Sequence, residues 1–197
     1  MDFKGKYAIP ASPDAVWAAL HEAEMLAAAI PGCEGVEKLS DMEFKARATL
    51  KIGPVKARFE GKVQFQELPP PEGVVHAVLL KGEGQGGAAG FARGESQVRL
   101  SADGTGTILE YDAKATIGGR LAQVGQRLID GAAKALADEF FAKFAILMQA
   151  QAAHAELETV PTQEVRVVKE EGLAPQIWVV GLIGIVVILL IVFSIVL

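Results

Sequence analysis

The chain has 197 residues, a net charge of −5 and one cysteine, Cys33. That length suits one domain with an appendage, and a lone cysteine excludes an intrachain disulfide. Up to residue 150, 17 Lys and Arg face 19 Asp and Glu, a balance without the dense basic patch that phosphate neutralisation needs, so no nucleic acid is expected as a partner.

The first ten residues lack the apolar run of a signal peptide. Phe3, Gly5, Tyr7 and Ile9 alternate with Asp2, Lys4 and Lys6, the two-residue period of a half-buried strand. Ser12, Pro13 and Asp14 then supply an N-cap, a first-turn proline and a first-turn acid, which start a helix. Residues 13–30 are apolar enough for two short helices, with Trp17, Leu20, Met25, Leu26 and Ile30 as buried candidates, and Pro31-Gly32 ends them. Cys33 reads as a small buried apolar residue, and a short strand over 34–39 follows.

Two alternating runs come next: Phe44, Ala46, Ala48, Leu50 and Ile52, then Val55, Ala57, Phe59, Gly61, Val63 and Phe65, around Gly53-Pro54. They predict a hairpin with one dry face. Pro69, Pro70 and Pro71 force a loop, and residues 74–81, 91–100 and 107–117 supply three more strands, for six or seven in all. Several dry-face positions are small, among them Gly5, Ala46, Ala48, Ala113 and Ala115. A sheet lined in this way leaves volume unfilled, as a cavity does, although small residues also admit close approach of a helix.

Residues 118–149 carry no proline, and Leu121, Val124, Leu128, Ala132, Leu136, Phe140 and Phe144 recur at helical spacing, predicting one long helix with a buried stripe. An antiparallel sheet wrapped on a long helix that closes the domain is an α+β helix-grip fold, expected over residues 1–150. Residues 151–176 are polar, with five acids and two bases, and read as a flexible linker. Residues 177–197 hold no charge, and at ~1.5 Å per residue they reach about 30 Å, the thickness of a bilayer core. With Arg166 and Lys169 before this stretch, a transmembrane helix acting as a C-terminal tail anchor is expected, with the domain on the cytoplasmic side of the cell inner membrane.

Recognisable catalytic chemistry is sparse. His21, His76 and His154 lack metal-ligand spacing, so no metal is expected, and neither a nucleophile elbow nor a Cys/His arrangement is present. Residues 82–87 formally contain GxGxxG, yet a strand pattern follows where phosphate binding needs a helix, so a strand-to-strand loop is expected there. Tyr111 shares a face with Leu109 and Ala113 and reads as core or pocket wall.

The runs Pro13-Asp14-Ala15-Val16-Trp17, Ile30-Pro31-Gly32-Cys33-Glu34, Lys51-Ile52-Gly53-Pro54-Val55 and Gly119-Arg120-Leu121-Ala122-Gln123-Val124-Gly125-Gln126-Arg127-Leu128 resemble the CoxG family of carbon monoxide dehydrogenase proteins. The resemblance covers roughly residues 1–150. It implies a START-like (SRPBCC) domain with a deep hydrophobic cavity, and a molybdenum hydroxylase partner such as aerobic CO dehydrogenase, to which the metal, iron–sulfur and flavin cofactors belong. It transfers no catalytic residues.

The expected function is therefore a non-enzymatic, membrane-tethered carrier that takes an isoprenoid quinone, menaquinone or ubiquinone, from the bilayer and presents it to the hydroxylase. The expected cavity residues are Trp17, Leu26, Phe44, Ala48, Leu50, Phe59, Phe65, Tyr111, Leu121, Val124 and Leu128. No cofactor of its own is expected. A recruitment or assembly factor for the hydroxylase, without carriage, is the alternative, and a START-like enzyme acting on a hydrophobic substrate is a weaker one.

Overall fold

The computed structural model describes residues 1–158, with side chains through residue 153. In chain order it contains β1 (Asp2–Ile9), α1 (Pro13–Ala19), α2 (Ala23–Ala29), β2 (Cys33–Ser40), β3 (Glu43–Ile52), β4 (Val55–Leu68), β5 (His76–Gln85), β6 (Phe91–Asp103), β7 (Gly106–Gly118) and α3 (Gln126–Glu158). Short 3-10 turns occupy Gly87–Ala89 and Gly119–Val124. The expected span at 177–197 and most of the expected linker lie outside the described residues. Among the described residues, no helix is long and apolar enough to cross a membrane.

All seven strands form one antiparallel sheet in the order β1-β7-β6-β5-β4-β3-β2. The alternation read from the sequence sets its faces. Charged residues face outward, where Lys4 meets Asp112 at 2.7 Å and Lys45 meets Glu60 at 2.8 Å. Such exposed pairs add little stability, and the apolar inner face supplies the driving force.

The helix starts are legible in local chemistry. The Ser12 hydroxyl accepts a hydrogen bond from the Ala15 amide at 3.3 Å, and Pro13 occupies the first turn of α1. Gly32 turns the chain from α2 into β2 at φ +65°, with the Thr49 carbonyl oxygen where a Cβ would sit, so only glycine is tolerated there.

The structure corrects three expectations. The glycine-rich residues 82–85 belong to β5, and the loop shrinks to the 3-10 turn and its flanks. Their backbones close the ladder with Gly61 opposite Gly84 and Gly82 opposite Gly94. The long helix begins at Gln126, because Gly125 at φ +95° separates it from the 3-10 turn at Gly119–Val124. It then runs through residues 151–158, which their polar composition assigns to the linker.

The solid core lies beneath the C-terminal half of α3. Phe144, Ile9, Leu100, Leu109 and Val16 are each 2% exposed or less, and Met148 joins them. Further toward its N-terminus, α3 no longer packs flush on the sheet.

Candidate functional site

Between α3 and the inner face of the sheet lies a cavity of about 450 Å³. Its floor comes from alternate positions of the strands: Phe3 of β1, Phe44 and Ala46 of β3, Val63 and Phe65 of β4, Val78 and Leu80 of β5, Ser96 and Val98 of β6, and Leu109, Tyr111 and Ala113 of β7. Its roof is Ala133, Ala137, Phe140 and Phe141 of α3, and Trp17, Leu20, Leu26 and Ile30 close one end. Alanine at both helix positions holds the roof off the floor, which is why the space stays open.

The lining is apolar apart from the hydroxyls of Ser96 and Tyr111 and the Trp17 indole nitrogen. It includes no carboxylate, imidazole, amine or thiol. The enclosed volume therefore favours a hydrophobic ligand and provides no evident acid–base pair. A shallower apolar groove of about 390 Å³ shares Val63, Leu80, Ser96 and Ala113 with the cavity and continues over Gly84 and Ala92. A larger depression, about 780 Å³, lies on the outer face, but eight charged side chains line it, including Lys62, Glu83, Arg93 and Glu95. That surface suits a polar contact.

Five of the residues named from sequence line the cavity: Trp17, Leu26, Phe44, Phe65 and Tyr111. The other six lie elsewhere. Ala48 is buried opposite Phe59 in the β3–β4 pairing, and the Phe59 ring fills the space beside Gly86. Leu50 faces Ala57 near the end of the same hairpin, and Leu121 is buried in the 3-10 turn before α3. Val124 lines a separate groove with Pro54 and Val55, and Leu128 is 54% exposed.

The reason is angular. At about 100° per residue, Leu128 sits roughly 160° around the helix from buried Phe144, whereas Ile129, Ala133 and Ala137 lie within about 60° of it. Stepping back from Phe140 in fours drifts off the buried face. The true stripe runs Ile129, Ala133, Ala137, Phe140, Phe141, Phe144 and Met148.

Sequence reasoning also missed the groups that hold the walls. The Tyr7 ring stacks on Phe141 with centroids 4.1 Å apart, and its hydroxyl donates to Asp138 at 2.7 Å, strapping β1 to α3. Tyr111 lies over Gly5, where a Cβ would collide with its ring. His21 and His76, isolated in sequence, both pack on Trp17, with centroids 4.4 and 4.8 Å away. His76 also meets Asp14 at 2.7 Å. The His21 Nδ1 faces the Trp17 carbonyl at 2.8 Å and must carry the proton, since a carbonyl only accepts. Its buried Nε2 has no partner among the described residues, and His21 stands behind the wall rather than on it. Among the described residues, no three His, Cys, Asp or Glu side chains cluster as metal ligands.

The strap is sensitive to pH. Burial first, and then the hydrogen bond to Asp138, hold the Tyr7 hydroxyl far above its usual range. Hydrogen bonds from Lys134 and then Tyr7 hold the Asp138 carboxyl below its usual range. The carboxylate's contribution is present above its unfolded-state value, near ~4, and is lost as pH falls through its lower folded value. The tyrosine's contribution is present below ~10 and lost as pH rises through its folded value. Replacing Tyr7→Phe should therefore lower the urea midpoint at neutral pH. The gap from the parent should narrow below about pH 4, measured by parallel urea titrations.

Among solved structures, a conserved protein from Geobacillus kaustophilus is 27% identical, with TM-score 0.68, covering 76% of this chain and 96% of its own. The Zhui aromatase/cyclase from Streptomyces sp. R1128 is 11% identical with TM-score 0.54, covering 79% of this chain and 97% of its own. A STAR-related lipid transfer protein fragment from Xanthomonas axonopodis is 16% identical with TM-score 0.51, covering 73% and 85% respectively. No curated protein matches the chain. The fold is thus START-like, and these relatives consist almost entirely of this one domain, so residues 1–153 make a complete folding unit. The family model for CoxG, named for carbon monoxide dehydrogenase, matches residues 5–147, and this chain belongs to that family.

Proposed function

We propose that the domain carries a hydrophobic ligand, that the ligand is a respiratory quinone, menaquinone or ubiquinone, and that it moves between the membrane and a CO dehydrogenase-type molybdenum hydroxylase. The observation that carries the proposal is the apolar cavity of about 450 Å³, lined without an ionisable acid–base pair. The family's name points to the hydroxylase, and a structural neighbour is named for lipid transfer. Another neighbour is an aromatase/cyclase, so the fold alone does not decide between binding and catalysis. The lining favours binding, because catalysis needs a placed acid, base or nucleophile.

Volume indicates how such a ligand would sit. At ~30 Å³ per water-sized group, the cavity has room for roughly fifteen heavy-atom groups. A quinone ring and the first part of its chain fill that space, and the rest of the chain follows the groove over Gly84 and Ala92. Each buried CH₂ contributes ~0.8 kcal/mol, so even this partial enclosure supports firm binding. Residues 177–197, as a bilayer span, would keep the cavity beside its source and raise the local ligand concentration.

The test is organic extraction and mass spectrometry of residues 1–153, purified without detergent from a quinone-containing cell. Near-stoichiometric quinone is expected, and an empty domain sinks the proposal. The charged outer depression favours a second reading, recruitment of the hydroxylase without carriage. In that case the enzyme binds equally well whether or not the cavity is blocked.

A further inference from the structure

Three segments distant in sequence meet where α3 begins: the β3–β4 turn, the 3-10 turn after β5 and the 3-10 turn before α3. A Cβ on Gly53 would touch Val124 and Leu128, and Pro54, Val55, Ala88, Arg120 and Val124 line one shared groove. Residues 51–57, 86–92 and 118–129 contain Lys51, Lys56, Arg120 and Arg127 and no Asp or Glu, in a chain of net charge −5. None of these four cations forms an ion pair among the described residues, although most other exposed cross-strand charges on β3 and β4 do. Lys51 and Lys56 stand directly opposite each other in the hairpin, an arrangement that disfavours folding unless something outside the domain neutralises it.

Apolar side chains stand exposed among these cations. Leu128 is 54% exposed and Phe91 38%, and Pro54 and Ala88 are exposed beside them. Cations around protruding apolar groups match the boundary between anionic headgroups and acyl chains: phosphates take the Lys and Arg heads, and the hydrocarbon takes the leucine and proline. The rest of the domain surface mixes both signs.

We infer that this end of the domain is a lipid-contact face that seats on an anionic bilayer surface. It orients the domain with Leu128 and the β3–β4 turn toward the membrane and the α1 end away from it. The inference does not depend on which ligand the cavity holds.

The experiment uses the full chain with Cys33→Ser and a single reporter cysteine, Leu128→Cys, carrying an environment-sensitive fluorophore. The protein is reconstituted in vesicles of phosphatidylcholine alone or mixed equally with phosphatidylglycerol, with bromine-labelled acyl chains as quencher. The expected result is a blue shift and quenching only in the anionic vesicles, both abolished at high salt. A reporter at Val75→Cys, at the opposite end of β5, should stay aqueous throughout. Each cation near the surface is worth roughly fivefold, so Lys51→Gln, Lys56→Gln, Arg120→Gln and Arg127→Gln together should cut the lipid-contacting fraction more than tenfold. An Ala122→Cys reporter repeats the measurement should labelling at residue 128 disturb α3. Insertion of residues 177–197 alone would give signals independent of headgroup charge, so equal signals in both compositions overturn the inference. So does a tip that stays aqueous on lipid but is shielded by an acidic soluble protein. Quinone extraction is a separate readout, so failure here and failure of the carrier proposal are distinguishable.

Discussion

Blocking the cavity from both sides, with Ala46→Phe on the sheet and Ala137→Phe on α3, should lower quinone retention at least tenfold and leave the domain folded. Both alanines line the enclosed space of about 450 Å³. Together the substitutions add twelve ring carbons to a volume with room for roughly fifteen heavy-atom groups. Little remains for a quinone ring. A tenfold loss needs only about 1.4 kcal/mol, less than two displaced CH₂ groups supply. The added rings enter existing space, so the thermal midpoint should hold or rise, whereas overpacking a filled site costs about 1–3 kcal/mol. Ala48→Phe makes the matched control. Ala48 is 9% exposed and stands opposite Phe59, outside the cavity, so it should destabilise the domain without selectively lowering ligand content. Mass-spectrometric quinone-to-protein ratios, taken with thermal melts, separate the two effects. Wild-type quinone content in the doubly blocked protein would place the ligand elsewhere.

The contrast between Ala46 and Ala48 shows what one sequence can convey. Alternation assigns a face, and it puts Phe44, Ala46, Ala48 and Leu50 together on the inner side of β3. It carries no information on depth along the strand, and depth decides whether an inner-face residue meets the cavity or the plug formed by Phe59, Leu121 and the 3-10 turns. The seven strands, both short helices and the long helix were legible because two-residue and 3.6-residue periods survive locally. The start of α3 was not, because its stripe was extended through Gly125, whose positive φ interrupts the helix.

Tertiary assembly hid the remaining features. Tyr7 and Asp138 are 131 positions apart and meet at 2.7 Å, with no local signal to pair them. The cationic end escaped a count of charges over the first 150 residues, because its four cations come from three separate segments that only folding brings together. Net balance over a chain does not describe the balance on one face.

Phe144→Ala should be the most damaging single substitution in the domain, lowering unfolding free energy by about 3–5 kcal/mol. Phe144 is 0% exposed, stacks near Phe140 with centroids 5.8 Å apart, and joins the core cluster that contains Val16 of α1 and Leu100 and Leu109 of the sheet. Truncation leaves a void that helix and sheet cannot both move to fill, since α3 is also strapped to β1 through Tyr7. Against a total stability of about 5–15 kcal/mol, such a loss should populate partly unfolded chains at growth temperature. The cavity a few residues away is already open, so Phe140→Ala or Phe141→Ala, at its edge, should cost less than Phe144→Ala. Urea titrations of the three variants of residues 1–153 test that order directly. A loss below about 1 kcal/mol for Phe144→Ala would mean that α3 is not clamped through its C-terminal half. The fixed end is what lets the N-terminal half stand off the sheet and roof a cavity.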